Sequence, residues 1–598
     1  MKFSDFSKYL QRLESTTKRL EMTDILTEMI EELDVEETDK ALYLASGYIE
    51  APFKEIKFNI AEKMMLRAIE QTFSTPQKRN VKDEISKIYT ETGDLGNVVF
   101  ELKKLSKEYK EPSISDIYSK LLEIAAAEGT GSQEYKIGKI SALLKEVDPL
   151  SAKHITRIIL GTMRLGFTEL TIIVALANFL KNKSLAKKIE GKYNIHPDIG
   201  LIAKKIKEKG IKGIDYIQME IGVPVLSQKA QRVSGMEEIM ERIKKVWAEF
   251  KFDGTRVQLH FAKEGFYQKK NITDKKSQSN LFNEEKSSFL VRTFTRNLEE
   301  TTHQYPDIVE AAKKQIKADS VILDGEGIGY NKATGEFLPF QETMQRKRKY
   351  NIAETAKNVP LKYFVFDILY LNGESVVEKP LYERRKLLDK VIGPGEVIQT
   401  DEYIETDEFE KLEEYFEIAK EKGLEGVVVK TAEDPYQAGA RSYSWIKYKK
   451  ADEKLLSDTV DCVILGYYHG KGVRSKFGIG GLLVGVYDKE QEVYKTVSKI
   501  GTGLTEEDLK YLKKKCDQIQ VKNKPKNVEM NKIFTPDVYV SPKMVIEVGA
   551  DEISVSPTHT AGYALRFPRL IKFRDDKSPE DATNVSEIEK MYKNQRKN

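Results

Sequence analysis

The hydrophobic pattern of this chain changes near residue 225, and the change separates regions of different fold class. Before that point apolar residues recur three and four positions apart, as in IAEKMMLRAIEQTF and AKHITRIILGTMRLGF. This period is typical of amphipathic helices. After it, short alternating or apolar runs such as TRVQLHF and SVILDGEGIGY predict strands. The pattern therefore predicts a multidomain protein whose first region, residues 1–222, is all helical.

Two further regions follow the helical one. Residues 223–450 mix strand runs with helical stretches such as PDIVEAAKKQIK and TDEFEKLEEYFEIAKEKG, which predicts an α+β domain. Residues 451–598 are dominated by strand runs around one helix, which begins at a capping box of Thr505 and Asp508. Strands with one helix suit a small β-barrel of the OB type. The polar stretch 263–288 is predicted to be a surface loop or a hairpin extension.

Composition excludes several classes of site. Two cysteines, Cys462 and Cys516, cannot build a disulfide framework or a four-thiolate zinc site. The six histidines lie far apart, so a catalytic metal would be a hard cation on oxygen ligands. The chain has no apolar run of the ~18 residues that a membrane span requires, so we expect a cytoplasmic protein with no membrane partner. The net charge of +4 says little about partners.

The segment AEFKFDGTRVQLH, residues 248–260, is the first candidate for chemistry. It places Lys251 before an Asp-Gly turn, with Arg256 at the start of the next strand. A lysine can act as a nucleophile when its surroundings free the amine at neutral pH. Taken alone, the same residues could equally form an exposed hairpin turn.

Three further constellations follow in the same region. VILDGEGIG delivers Asp324 and Glu326 beside glycines that let a ligand approach the backbone, and EGVVVK begins with Glu425. RSYSWIKYKK places Lys447 and Lys449 on one strand face, as a phosphate clamp requires. Glu326 and Glu425 could hold Mg²⁺ while the cationic side chains hold a triphosphate.

This ordered set resembles the covalent nucleotidyltransferase superfamily of ATP-dependent DNA ligases, RNA ligases and mRNA capping enzymes. The match continues to Arg574-Asp575-Asp576-Lys577, which is similar to the superfamily's C-terminal Arg-x-Asp-Lys motif. The archaeal and eukaryotic type of DNA ligase is the most similar branch, on FTRNLEETTHQYPDI, LPFQETMQRKRK, FVFDILYLNG and DPYQAGARSYSWIKYKK. GTGSQEYKIGKISALL and RIILGTMRLGFTE match its N-terminal domain, so the resemblance covers nearly the whole chain. It implies a helical DNA-binding domain (1–222), an adenylation domain (223–450) and an OB-fold domain (451–598).

The resemblance also implies a role for each matching residue. Lys251 would take AMP in a phosphoramidate bond, and Glu249 would accept the adenine amino group. The other implied contacts are with ribose, phosphates or the nick (Arg256, Arg296), ribose and metal (Glu326), the adenine ring (Phe366), metal (Glu425), triphosphate oxygens (Arg441, Lys447) and the departing pyrophosphate when the barrel closes (Arg574, Asp576, Lys577). Some of these residues also have simpler interpretations. Phe366 could be core, Arg441 and Lys449 could be solvated surface, and Trp445 is expected to pack rather than to contact a ligand.

The implied activity is the sealing of 5′-phosphate/3′-hydroxyl nicks in duplex DNA, in replication, repair and recombination. It would use ATP and Mg²⁺ or another divalent cation, in a monomer, with a sliding clamp as a partner by analogy alone. An NAD-dependent ligase is set aside because two cysteines cannot build its four-cysteine zinc module. A capping enzyme using GTP on RNA, an RNA ligase and a non-enzymatic scaffold remain alternatives.

Overall fold

The computed structural model describes residues 1–74, 81–104, 108–233, 235–269, 288–347, 352–449, 459–470, 474 and 477–594. The first region is helical, as predicted. Its described helices are α1 Phe3–Glu14, α2 Arg19–Glu32, α3 Val35–Ala45, α4 Glu62–Phe73, α5 Val81–Thr92, α6 Leu95–Lys103, α7 Ile114–Ala126, α8 Ser132–Glu146, α9 Pro149–Leu160, α10 Glu169–Phe179, α11 Ala186–Ile195, α12 Ile199–Lys209 and α13 Lys212–Asp215. Their apolar faces share one buried core that extends from Phe3 to Ile217.

Local sequence explains where these helices begin and end. At the start of α9 the Asp148 carboxylate accepts hydrogen bonds from the backbone N–H groups of Leu150 and Ser151, and Pro149 occupies the first turn. Gly161 ends the helix with a φ of 64°, a left-handed conformation that glycine adopts without strain. The caps therefore place the boundaries, while burial of the apolar face stabilises the helix.

The middle region is α+β, as predicted. Its helices are α14 Met236–Arg242, α15 Glu264–Lys269, α16 Pro306–Gln315, α17 Phe340–Thr343, α18 Ile352–Asn358, α19 Leu381–Val391 and α20 Phe409–Glu421. Its strands are β1 Lys229–Arg232, β2 Val246–Lys251, β3 Thr255–Lys263, β4 Phe289–Thr295, β5 Ser320–Gly329, β6 Leu361–Leu371, β7 Glu374–Ser375, β8 Ile398–Thr400, β9 Tyr403–Thr406, β10 Gly426–Lys430 and β11 Arg441–Lys449.

These strands form two sheets that meet at the Lys-x-Asp-Gly turn. One sheet has the order β1-β11-β10-β2-β9, and the other has β4-β3-β5-β6-β7 with β8 beside β6. β2 belongs to the first sheet and β3 to the second, so the short turn between them crosses from one sheet to the other. Apolar side chains from both sheets, including Ala262, Ile322 and Trp445, pack together beside this junction.

The last region is rich in strands. Its elements are β12 Val460–Tyr468, β13 Gly481–Asp488, β14 Val493–Ile500, α21 Glu506–Gln518, β15 Gln520–Val521, β16 Val528–Glu529, β17 Val538–Val540, β18 Val545–Gly549, β19 Glu552–Val555, β20 Tyr563–Arg566, β21 Arg569–Phe573 and α22 Val585–Asn594. Six strands follow the order β15-β17-β12-β13-β14-β16, β18 pairs with β12 and β21, and β19 pairs with β20. This arrangement is consistent with the OB-type barrel.

Helix prediction in this region was right for one helix and incomplete for another. Thr505 caps α21 through a capping box with Asp508, as the sequence indicates. α22 was not predicted, although Val585, Ile588 and Met591 recur three positions apart in it. Ile588 is fully buried against the core of this region, which is a tertiary contact that stabilises a short helix.

The polar stretch 263–288 lies mostly outside the described residues. Its described start forms α15 rather than a loop, and Phe289 then begins β4. No helix within the described ranges combines the length and apolar character that crossing a membrane requires.

Candidate active site

A cavity of about 810 Å³ opens where the two sheets meet. Its walls come from β1, β2, β3, β5, β6, β10 and β11, with the turn after β4 at one side. Eight residues singled out in the sequence line it: Glu249, Lys251, Arg256, Arg296, Glu326, Phe366, Arg441 and Lys447. Segments nearly 200 positions apart in the chain thus meet around one space.

Lys251 lies at the end of β2 and is held by Glu425. The Glu425 N–H donates to the Lys251 carbonyl at 2.9 Å, and the Glu425 carboxylate forms ion pairs with the ammonium groups of Lys251 and Lys449. Burial alone would raise the pKa of Glu425, but the two lysine charges outweigh burial and leave this pKa below its ordinary value. Glu425 is therefore ionised at neutral pH and positions the Lys251 amine at the cavity.

Two glycines explain why this region is so tightly built. A Cβ on Gly254 would lie 2.4 Å from the carbonyl oxygen of Gly327. A Cβ on Gly426, whose φ is 146°, would lie 2.2 Å from the carbonyl oxygen of Tyr448. The glycines that follow Asp253 and Glu425 in the sequence therefore let neighbouring strands approach closely beside Lys251.

Glu249 lies two residues before Lys251 and is almost completely buried. It accepts a hydrogen bond from the indole N–H of Trp247 at 2.9 Å and forms an ion pair with the Lys430 ammonium at 2.5 Å. The Lys430 ammonium also lies 4.9 Å from the Phe366 ring centre and 4.4 Å from that of Trp445. Lys430 was not selected from the sequence as a site residue. Its partnership with Glu249 depends on the pairing of β10 with β2, which local sequence does not reveal.

Arg256 forms part of the inner wall. Its Nε donates to Asp324 Oδ1 at 3.0 Å, and the Tyr436 hydroxyl donates to Asp324 Oδ2 at 2.7 Å. Burial lowers the pKa of Arg256, but the Asp324 charge outweighs burial and raises that pKa. The guanidinium lies 5.3 Å from the Phe366 ring centre. Arg256 is thus a fixed positive charge facing the cavity.

Glu326 lies on β5 directly opposite Arg256 on β3. Burial raises the pKa of Glu326 to about 7, because Lys251 and Arg256 offset only part of the desolvation while Glu425 adds repulsion. Burial and Glu425 also raise the pKa of Asp253. Carboxylates in this condition fit a hard divalent cation, whose charge would stabilise their ionised forms. Within the described ranges, no three or more His, Cys, Asp or Glu side chains converge as a complete metal site.

The wall of the cavity formed by β1 and β11 carries positive charge. Lys447 and Arg441 lie on β11, and Lys229 on β1 is paired in register with Arg441. Burial, together with the charges of Lys449 and Lys251, lowers the pKa of Lys447. The side chains of these cations suit the binding of phosphate oxygens.

The two aromatic predictions have different outcomes. Phe366 lines the cavity and packs edge-to-face against Trp445 with ring centres 5.9 Å apart, so it is not simply core. Trp445 is 5% exposed and does pack, as expected, but it also lines the cavity. Arg296 reaches the cavity from the turn after β4 together with Thr295 and Asn297.

Three predicted residues lie elsewhere. Arg574 contacts Asp461 at 3.2 Å and Asp576 at 2.8 Å, and Lys577 contacts Asp461 at 2.6 Å. Arg574, Asp576 and Lys577 are absent from the described lining of the cavity. In this conformation the C-terminal motif is held by the last domain's own carboxylates.

Three family models match the chain in order. They are the DNA ligase N terminus (residues 2–177), the ATP dependent DNA ligase domain (283–449) and the ATP dependent DNA ligase C terminal region (475–577). A "Probable DNA ligase" of Dictyoglomus turgidum is 43% identical, over 100% of this chain and 98% of that protein. A "DNA ligase" of Sulfolobus acidocaldarius is 36% identical over the same shares.

A solved structure named Pmar-Lig_Pre covers 95% of this chain and 99% of its own, with a TM-score of 0.55 and 16% identity. At that identity the likeness shows the shared fold. The fold and the full-length relatives together define the class, and this chain belongs to the ATP-dependent DNA ligase family. The prediction of an ATP-dependent DNA ligase, with helical, adenylation and strand-rich domains, is confirmed.

Proposed function

We propose that this chain seals 5′-phosphate/3′-hydroxyl nicks in duplex DNA and that Lys251 is its nucleophile. The observation that carries the assignment is the position of Lys251 at the end of β2. At that position its side chain lines the same cavity as Glu249, Glu326, Arg441 and Lys447. An amine, a base-reading carboxylate and phosphate-binding cations are what adenylation by ATP requires.

ATP would lie with its adenine at Glu249 and its phosphates at the wall formed by β1 and β11. Glu249 accepts a hydrogen bond from the adenine amino group, and Phe366 offers a ring face for stacking. Arg441 and Lys447 hold triphosphate oxygens, while Arg256 lies toward the ribose. This placement sets the α-phosphorus beside Lys251.

The Lys251 amine then attacks the α-phosphorus, so that an N–P bond forms and the bond to pyrophosphate breaks. A divalent cation held by Glu326 and Glu425 would neutralise these carboxylates and polarise phosphate oxygens. Binding of that cation by Glu425 would weaken the ion pair between Glu425 and the Lys251 ammonium. Arg574, Asp576 and Lys577 would meet the departing pyrophosphate once the last domain turns toward the cavity.

Two transfers complete the reaction. The 5′-phosphate at the nick attacks the lysine-bound AMP, and Lys251 leaves as the amine. The 3′-hydroxyl then attacks the activated 5′-phosphate, forming the phosphodiester and releasing AMP. Arg296, which lines the cavity, would hold the sugar or the nick phosphate. Because sealing must work at any sequence, the DNA is held through its backbone.

On the family resemblance we further propose a monomer in the cytoplasm, associated with the nucleoid if the source is prokaryotic. A sliding clamp is a candidate partner on the same basis. The cellular processes served would be replication, repair and recombination.

Nick sealing tests the proposal directly. A 5′-phosphorylated nicked duplex, ATP and Mg²⁺ are supplied to the wild type, to Lys251→Ala and to Lys263→Ala. Lys263 is an exposed lysine on β3 that pairs with Asp319, so it is a matched control. We expect sealing and labelling of the protein by radioactive AMP with wild type and Lys263→Ala, and neither with Lys251→Ala. Sealing by Lys251→Ala would contradict the assignment. Labelling without sealing of DNA would instead favour an RNA ligase or capping activity.

A further inference from the structure

Asp401 lines the cavity next to Glu249, at a position that the motifs do not include. It follows β8 directly, its N–H donates to the Val365 carbonyl at 3.0 Å, and its side chain is 1% exposed. Its Oδ1 has no hydrogen-bond partner among the described residues. A buried carboxyl oxygen without a partner is costly, so a ligand group is the expected partner.

Burial and the neighbouring Glu249 favour the protonated form of the Asp401 carboxyl. Burial raises the pKa of Asp401 well above its ordinary value, and Glu249 on β2 raises it further, while Lys430 on β10 and Arg385 on α19 oppose that shift. Lys430 is already paired with Glu249, and the Arg385 side chain donates to the Asp401 backbone carbonyl. Tyr415 on α20 faces the same region without supplying a charge at neutral pH. A neutral carboxyl carries an O–H donor.

Glu249 and Asp401 therefore present complementary groups to the cavity. Glu249, which pairs with the Lys430 ammonium, offers oxygens that accept hydrogen bonds, and a protonated Asp401 can donate one. Adenine carries the matching pair on either of two edges, since its amino group donates and the neighbouring ring nitrogen, N1 or N7, accepts.

We propose that Asp401 is a second nucleobase-binding residue, whose carboxyl O–H donates a hydrogen bond to a ring nitrogen of adenine while Glu249 accepts from the amino group. This inference rests on the proposed binding of ATP in the cavity. Asp401 thus contributes affinity for ATP at the adenylation step. When pH rises past the raised pKa of Asp401, the donor is lost and ATP binding weakens.

Analogues that lack one ring nitrogen test the contact. The KM of AMP transfer onto the full-length protein is measured with ATP, 1-deaza-ATP and 7-deaza-ATP for wild type, Asp401→Asn and Asp401→Leu. We expect one analogue to raise the KM of wild type by about three- to tenfold, the effect of one hydrogen bond. Asp401→Asn keeps an N–H donor, so the same analogue should raise its KM by the same factor. Asp401→Leu should bind ATP as weakly as the analogue and show no further penalty.

Asp389→Asn is the matched control, because Asp389 also contacts Arg385, at 3.1 Å, but is 52% exposed and lies away from the cavity. Its analogue penalty should equal that of wild type. The inference would be wrong if the analogue raised the KM of Asp401→Leu as much as that of wild type, or if neither analogue raised the KM of wild type. If Asp401→Leu does not fold, wild type should lose ATP affinity with rising pH and Asp401→Asn should not; the same pH profile in both would refute it. Wild type that takes no AMP onto Lys251 would instead refute the proposed function.

Discussion

At the scale of a single residue, cation binding and burial have opposite effects on the ionisation of Glu326. It must be ionised to bind a cation, yet burial raises its pKa to about 7. The folded protein therefore binds a proton at Glu326 more tightly than the unfolded chain does. Stability attributable to this group is present at low pH and is lost as pH rises from the ordinary glutamate pKa to about 7.

Glu326→Gln should separate the effect of the buried carboxylate on stability from its proposed role in cation binding. At pH 8 without nucleotide, we expect the variant to be more stable by about 1–3 kcal/mol, because no buried charge has to form. AMP transfer by wild type should rise with pH around 7, while the variant should be nearly inactive at every pH. Thermal unfolding and the pH profile of AMP transfer measure these effects. Glu310→Gln, which changes an exposed carboxylate on α16, should leave both nearly unchanged. A variant less stable than wild type at pH 8 would contradict the argument.

At the scale of secondary-structure elements, one buried ion pair joins β6 to α19. Arg384 and Asp367 are both fully buried, with Nε–Oδ1 at 2.7 Å and Nη2–Oδ2 at 2.9 Å. Asp367 follows Phe366 in β6, so the pair also fixes the strand that brings the ring to the cavity. Removing one partner leaves the other charge buried and uncompensated.

Asp367→Asn should therefore destabilise the protein by about 3–5 kcal/mol and raise the KM for ATP through displacement of Phe366. Urea unfolding and AMP-transfer kinetics test both effects. Glu383 lies on the same helix as Arg384 and forms an exposed ion pair with Lys379, so Glu383→Gln should cost less than about 1 kcal/mol. Equal effects of the two substitutions would show that burial does not decide the energy of the Asp367 pair.

At the scale of the whole molecule, the proposed role of Arg574 and Lys577 at the departing pyrophosphate requires the last domain to move. Arg574 and Lys577 now pair with Asp461, outside the cavity that holds Lys251. Pyrophosphate leaves only in the first transfer, so residues that orient it matter only there.

Arg574→Ala should reduce AMP transfer from ATP to Lys251 by about 100-fold, the scale of a lost charge-stabilising group. Sealing of a nick that already carries AMP should remain near the wild-type rate. Arg569→Ala, an exposed arginine on β21 that pairs with Asp551, serves as control and should change neither step. Equal loss in both steps would show that Arg574 acts on the DNA or on the fold rather than on pyrophosphate.

Local sequence indicated the helical N-terminal region, α21, the longer strands and the family, because caps, apolar periods and short motifs are properties of neighbouring residues. It also indicated Glu249, Lys251 and Arg256, which lie within eight positions of one another. Their roles, like those of the other proposed site residues, stay predictions until the variants are measured.

Tertiary structure alone decided which distant groups face each other. Lys251 meets Glu425 across 174 positions, and Lys430 meets Glu249 because β10 pairs with β2 in one register. Asp401 enters the cavity from a short strand beside β6, with no motif around it. Strand pairing and the burial it produces depend on the packing of the whole domain, so neither the partners nor the shifted pKa values could be predicted from local sequence.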